Sequence, residues 1–78
     1  MERKTRFRIA LAIRSDREDE RYTARDFARD HDCSKTMLYD VLNGNRTSQR
    51  LETAVEDFIA DQADRASLDL QAHEPAAA

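Results

Sequence analysis

Residues 23–44 read TARDFARDHDCSKTMLYDVLNG, and this short stretch contains two helix starts and one helix stop. Thr23 is a hydroxyl N-cap with the acidic Asp26 three positions on, and Tyr22 before it is placed to staple onto Phe27. In the helix that follows, Phe27, Ala28 and His31 share the inward face, while Arg25, Asp26, Arg29 and Asp30 point outward. Ser34 supplies a second N-cap, and Met37, Leu38, Val41 and Leu42 form a second apolar stripe. Asn43-Gly44-Asn45 stops this helix, glycine being the residue most at ease in a left-handed C-cap.

Only Asp32-Cys33 separates the two capped segments. So tight a turn forbids antiparallel packing and forces a steep crossing, which makes the pair a helix-turn-helix. The turn needs a residue tolerant of positive φ followed by a small apolar plug, and Asp32 and Cys33 meet both demands. The second helix, residues 34–43, then exposes its first turn and its positive dipole end.

Working outward, Phe7-Arg8-Ile9-Ala10-Leu11-Ala12-Ile13 alternates like a strand at Phe7, Ile9, Leu11 and Ile13, yet Phe7, Ala10 and Leu11 fall on one helical stripe. Helix is favoured, because alanine is a strong helix former and no second strand exists to pair with it. Ser15 to Arg21 is charged throughout and reads as a loop or a solvated last turn. On the other side, Ser48 caps an acidic helix carrying Leu51, Val55, Phe58 and Ile59 at i, i+4, i+7, i+8. Beyond Asp61 the pattern decays. The expected fold is all-α: a compact four-helix domain over residues 1–61 with a disordered acidic tail over 62–78.

Composition bounds the rest. A chain of 78 residues supports one small core. The longest apolar run, Ile9 to Ile13, is far short of the ~20 residues that span a bilayer and too short for a signal-peptide core, so a cytoplasmic protein is expected. The single cysteine, Cys33, cannot form an internal disulfide, and with two histidines it offers too few ligands for a structural metal. His31, inward and without a metal-type partner nearby, reads as a packed core histidine. No glycine-rich phosphate loop, serine–histidine pair or carboxylate pair in an apolar setting appears, so neither an enzyme nor a cofactor is expected. Net charge is −3, but residues 1–15 carry +4 and residues 51–78 carry −6, the asymmetry expected if one face meets a polyanion.

At Thr23, Phe27-Ala28, Asp32-Cys33-Ser34, Leu38 and Leu42-Asn43-Gly44 the chain resembles, without gaps, the lambda-repressor-like (XRE) helix-turn-helix family. The likeness continues through Arg46-Thr47-Ser48 and Leu51-Glu52-Thr53-Ala54-Val55, similar to small phage-type regulators, and covers roughly residues 7–60. It implies a sequence-specific regulator of transcription, a repressor among the forms such regulators take, that binds double-stranded DNA with the second helix in the major groove. It also implies base contacts from Lys35, Thr36, Tyr39 and Asp40, and phosphate contacts from Ser34, Asn43, Asn45, Arg46, Thr47 and Arg50. Such domains usually act as homodimers; Phe58, Ile59, Leu68 and Leu70 are the hydrophobics available for a self-interface, and no small-molecule effector domain is expected. Three features depart from the family: Ala24 stands where glutamine usually touches a phosphate, Asp32 replaces glycine, and the loop Ser15–Arg21 is longer and more acidic.

Two alternatives stay open in the sequence. The cluster Arg3, Lys4, Arg6, Arg8 reads equally as a DNA-contacting arm or as a solubilising terminus. The acidic C-terminal third and the acidic loop Ser15–Arg21 leave room for a protein-binding module of the same fold, such as an antitoxin or an accessory anti-repressor.

Overall fold

Helix is the only regular conformation in the computed structural model, which describes residues 2–67. Among these residues lie α1 Arg3–Arg17, α2 Ala24–Asp30, α3 Lys35–Leu42 and α4 Gln49–Ala66. The ambiguous segment after Arg6 is helical: α1 buries Phe7, Ala10 and Leu11 on one stripe and continues through Ser15 to Arg17, so the charged stretch is half helix and half loop. Three successive helices end in the same way. After α1, α2 and α3 the residues in the left-handed region are Asp19 (φ 52°), Asp32 (φ 56°) and Gly44 (φ 79°). In each, the following amide reaches back to the carbonyl five residues earlier: Glu20 to Ser15 at 3.0 Å, Cys33 to Ala28 at 2.9 Å and Asn45 to Asp40 at 2.8 Å. These bonds close Schellman motifs that satisfy otherwise orphaned carbonyls.

Both expected hydroxyl caps of the central pair form. Asp26 donates its amide to Thr23 Oγ1 at 3.3 Å, and Thr23 returns its own amide to Asp26 Oδ2 at 2.9 Å. Met37 donates its amide to Ser34 Oγ at 3.0 Å. The loop before α2 is latched by Ser15, whose hydroxyl accepts the Tyr22 amide at 2.8 Å and has the carbonyls of Leu11 and Tyr22 within donating distance.

α1 packs along α4, α2 against α3, and α3 against α4. Where these meet, Phe7, Phe27, Leu38, Leu51, Val55 and Ile59 are fully buried, each contributing on the order of 1.5–3 kcal/mol by leaving water. Phe7 and Phe27 meet edge to face at 4.9 Å, and Phe58 closes on both, at 5.8 and 5.2 Å. One expectation is thereby corrected. Phe58 and Ile59 are not spare hydrophobics for a self-interface: Ile59 is fully buried and Phe58 is half-buried against the aromatic cluster. Tyr22 places its ring 5.9 Å from Phe58 with the Arg14 guanidinium 4.6 Å over it, and donates its hydroxyl to Asp30 at 2.7 Å. Burial and that bond both push the Tyr22 phenol well above its usual range, so it remains a donor at any physiological pH.

The fourth helix is longer than its apolar pattern announces. It runs to Ala66 and buries Gln62 and Ala63, so residues 62–66 belong to the folded domain and not to a tail. Gln62 and Ala63 extend the stripe from Ile59 at i+3 and i+4, but neither is a large apolar residue, which hid the continuation. Gln62 is satisfied by Arg17, whose Nε donates to Oε1 at 3.4 Å. Leu68, Leu70 and the remainder of 68–78 lie outside the described residues.

Neither open reading of the N-terminal arginines accounts for all of them. Arg3 and Arg6 form an ion cluster with α4: Arg6 grips Glu56 with both Nη atoms (2.7 and 3.0 Å), and Arg3 reaches Glu56 at 2.8 Å and Glu52 at 3.2 Å. Arg6 is 5% exposed. The Arg6 guanidinium holds the Glu56 carboxyl below its ordinary range, helped by Arg3 and opposed by partial burial.

Candidate nucleic-acid interface

α3 sets the geometry of the site. Leu38, Val41 and Leu42 are buried, which fixes the helix in rotation and leaves Lys35, Thr36, Tyr39 and Asp40 within one outer sector of about 140° at 100° per residue. Lys35 and Thr36 are exposed, whereas Tyr39 and Asp40 are half-buried. The structure therefore brings the four expected base-contacting residues to one face. Ser34, exposed, sits at the N-terminal end of that face, where its hydroxyl is committed to the Met37 amide.

The expected phosphate contacts divide into two groups. Asn43, Asn45, Arg46 and Thr47 are exposed in the loop after α3. That loop is drawn back against the helix because Asp40 O accepts from both the Asn45 and the Arg46 amides, at 2.8 and 3.2 Å. A Cβ on Gly44 would meet nothing, so glycine is needed there for its positive φ and not for space. Arg50 differs. Its Nη1 donates to the His31 carbonyl at 2.7 Å, so it ties the first turn of α4 to the end of α2. Arg50 has a structural post that its place in the sequence does not reveal.

The face carries more positive charge than the motif announces. Arg21, Arg25 and Arg29, four residues apart, are all exposed along α2 and its approach. Arg21 and Arg25 line a cleft of about 500 Å³ with Thr23, Ala24, Lys35 and Tyr39. Arg25 and Lys35 also line a neighbouring cleft of about 620 Å³ with Ala28, Arg29, Asp32, Cys33 and Ser34. Among the described residues Arg21, Arg25 and Lys35 make no ion pair, and Arg29 makes only loose ones, 3.5 Å to Asp26 and 3.7 Å to Asp30. The helical pattern sets Arg25 and Arg29 outward without assigning them a partner. The i, i+4, i+8 spacing of the three arginines was the available signal.

The acids nearby are only partly free to oppose this charge. Asp26 accepts the Thr23 amide and then the Thr23 hydroxyl, bonds that lower its pKa below the usual range. Asp32 is fixed in the turn and exposed, and its carboxylate shares the larger cleft with the cations. Cys33 is half-buried against the core as the plug of the turn. His31 is half-buried with its ring 4.1 Å from Phe27, a packing position.

Part of the acidic charge of α4 is internal: Glu52 and Glu56 pair with Arg3 and Arg6, and Asp61 pairs with Arg65 at 3.1 Å, while Asp57 and Asp64 are exposed and make no ion pair among the described residues. Among the described residues, no group of three His, Cys, Asp or Glu could hold a metal ion, and no helix is long and apolar enough to cross a membrane. Comparison with protein-family models, with curated proteins and with solved structures returns no match.

Proposed function

We propose that the chain is a sequence-specific double-stranded DNA-binding regulator of the lambda-repressor-like helix-turn-helix kind, with α2 crossing the phosphate backbone and α3 entering the major groove. The observation that carries this reading is the convergence of four exposed, weakly paired or unpaired cations, Arg21, Arg25, Arg29 and Lys35, beside the outer sector of α3. Lysine donates to guanine O6 and N7, the Thr36 methyl suits a thymine methyl, and the Asp40 carboxylate accepts from cytosine N4. Ser34, Asn43, Asn45, Arg46 and Thr47 surround that sector, where contacts that fix register belong. Arg21 and Arg25 supply the phosphate contact that Ala24, having no side-chain amide, leaves out.

The competing reading, a protein-binding module, rests on the acidic C-terminal third and on the acidic stretch from the end of α1 into the loop before α2, where Asp16, Glu18, Asp19 and Glu20 are exposed. Glu52 and Glu56 are paired with Arg3 and Arg6 from α1, which weakens the first of these supports and leaves the second standing. Fluorescence anisotropy with a labelled random duplex tests the proposal. Binding weakens with salt at a log–log slope of about −0.9 per phosphate contacted, and Arg25→Ala and Arg46→Ala each flatten the slope by about one unit. Unchanged slopes in both variants would remove this face from the backbone.

A further inference from the structure

Lys35 and Tyr39 are one helical turn apart on α3, and the Lys35 ammonium lies 5.8 Å from the centroid of the Tyr39 ring. The surroundings explain why it settles there. On the α2 side, Arg21 and Arg25 line the same cleft as Lys35 and repel it. Asp32 shares with Lys35 the lining of the neighbouring cleft, yet no carboxylate among the described residues forms an ion pair with Lys35. The negative face of the aromatic ring is thus an attractive partner for the ammonium, and Tyr39 is the more buried of the two.

We propose that Tyr39 is a positioning residue: its ring holds the Lys35 ammonium over the outer sector of α3 and so fixes which base pair Lys35 reads. This rests on the DNA-reading proposal above. A lysine on a flexible four-carbon stem otherwise spreads its donors over neighbouring bases and phosphates. The ring face supplies the hold, so phenylalanine can replace tyrosine and an aliphatic residue cannot.

The test has one arm without DNA and one with it. In the free protein, the Lys35 Cε methylene protons are shifted upfield by the ring in wild type and in Tyr39→Phe, and return to ordinary lysine values in Tyr39→Leu. Ordinary values in wild type would overturn the positioning role, whatever the protein binds. With the preferred duplex and its single mismatch at the Lys35 base pair, Tyr39→Leu loses about 2–5-fold in discrimination, the range of an exposed cation–π contact. Tyr39→Phe keeps that discrimination, and adding Tyr39→Leu to Lys35→Ala costs nothing more at the same base pair. Equal loss in Tyr39→Phe, or additive losses in the double variant, would show that Tyr39 reads the DNA itself and overturn the proposal. Absence of any preferred duplex for wild type would instead remove the DNA-reading premise, while the free-protein shift would still report on the contact.

Discussion

Removing the two partners of the Arg6–Glu56 pair should have very unequal effects. Arg6 is 5% exposed, and its Nε is buried without a partner. Its charge is offset chiefly by the two bonds to Glu56, at 2.7 and 3.0 Å. Glu56→Ala strands that buried guanidinium without its bonded partner, beside Arg3, which keeps its own pair with Glu52. Breaking a fully buried pair in this way costs about 3–5 kcal/mol. The Glu56 side chain is 34% exposed, so water can reach the site and about 2–3 kcal/mol is the reasonable figure. Arg6→Met removes the buried charge itself, keeps an apolar stem against the core, and leaves Glu56 with Arg3 at 2.8 Å and with solvent; its cost is about 0–1 kcal/mol of either sign. For a domain this small, 2–3 kcal/mol lowers Tm by about 10–20 °C. Urea and thermal melts followed by circular dichroism at 222 nm give both values. If Arg6→Met proves as destabilising as Glu56→Ala, the account of this cluster is wrong. The same pair sets an acid limb. The folded Glu56 carboxyl lies below its unfolded value, so its contribution is complete above about pH 4.3, the ordinary glutamate value, and is lost as pH falls through the folded value. Glu56→Ala should flatten that limb.

Three further outcomes follow from backbone and capping geometry. Asp32→Gly relieves a side chain held at φ 56° and should stabilise by about 0.5 kcal/mol, whereas Gly44→Ala, at φ 79° in open space, should cost about 1 kcal/mol; chemical denaturation of both variants checks the opposite signs. Thr23→Ala removes the cap of α2 and should cost about 1 kcal/mol by the same assay. Arg50→Ala should lower stability by about 1 kcal/mol through loss of its bond to the His31 carbonyl, while Arg46→Ala, exposed in its loop, should alter duplex binding without moving Tm.

Much of the fold was legible because its decisive positions are local. Thr23, Ser34, Ser48 and Gly44 announce where helices start and stop, and the structure ends or begins α2, α3 and α4 beside each. Asp32 was readable as a left-handed residue because the spacing of two caps left no other place for the turn. Long-range pairing was not legible. Arg3 and Arg6 meet acids about 50 residues away, and nothing in a basic N-terminus says whether its charge is spent inward or outward. The same blindness made Phe58 and Ile59 look surplus: a stripe pattern shows which face is apolar but not how much of it neighbouring helices will cover. Arg50 shows the limit for the candidate interface, since one hydrogen bond to a carbonyl 19 residues earlier gives it a structural post that no motif announces.

The most direct test of the central claim is selection of bound fragments from a random duplex pool, followed by titration of the isotope-labelled protein with the enriched duplex. If α3 reads the major groove, a defined sequence is enriched. The largest amide shifts should fall on residues 34–40 and on Arg21 and Arg25, with little change along the outer face of α4 at Asp57, Asp61 and Asp64. Enrichment of no sequence, or shifts concentrated on α4 instead of α3, would contradict it.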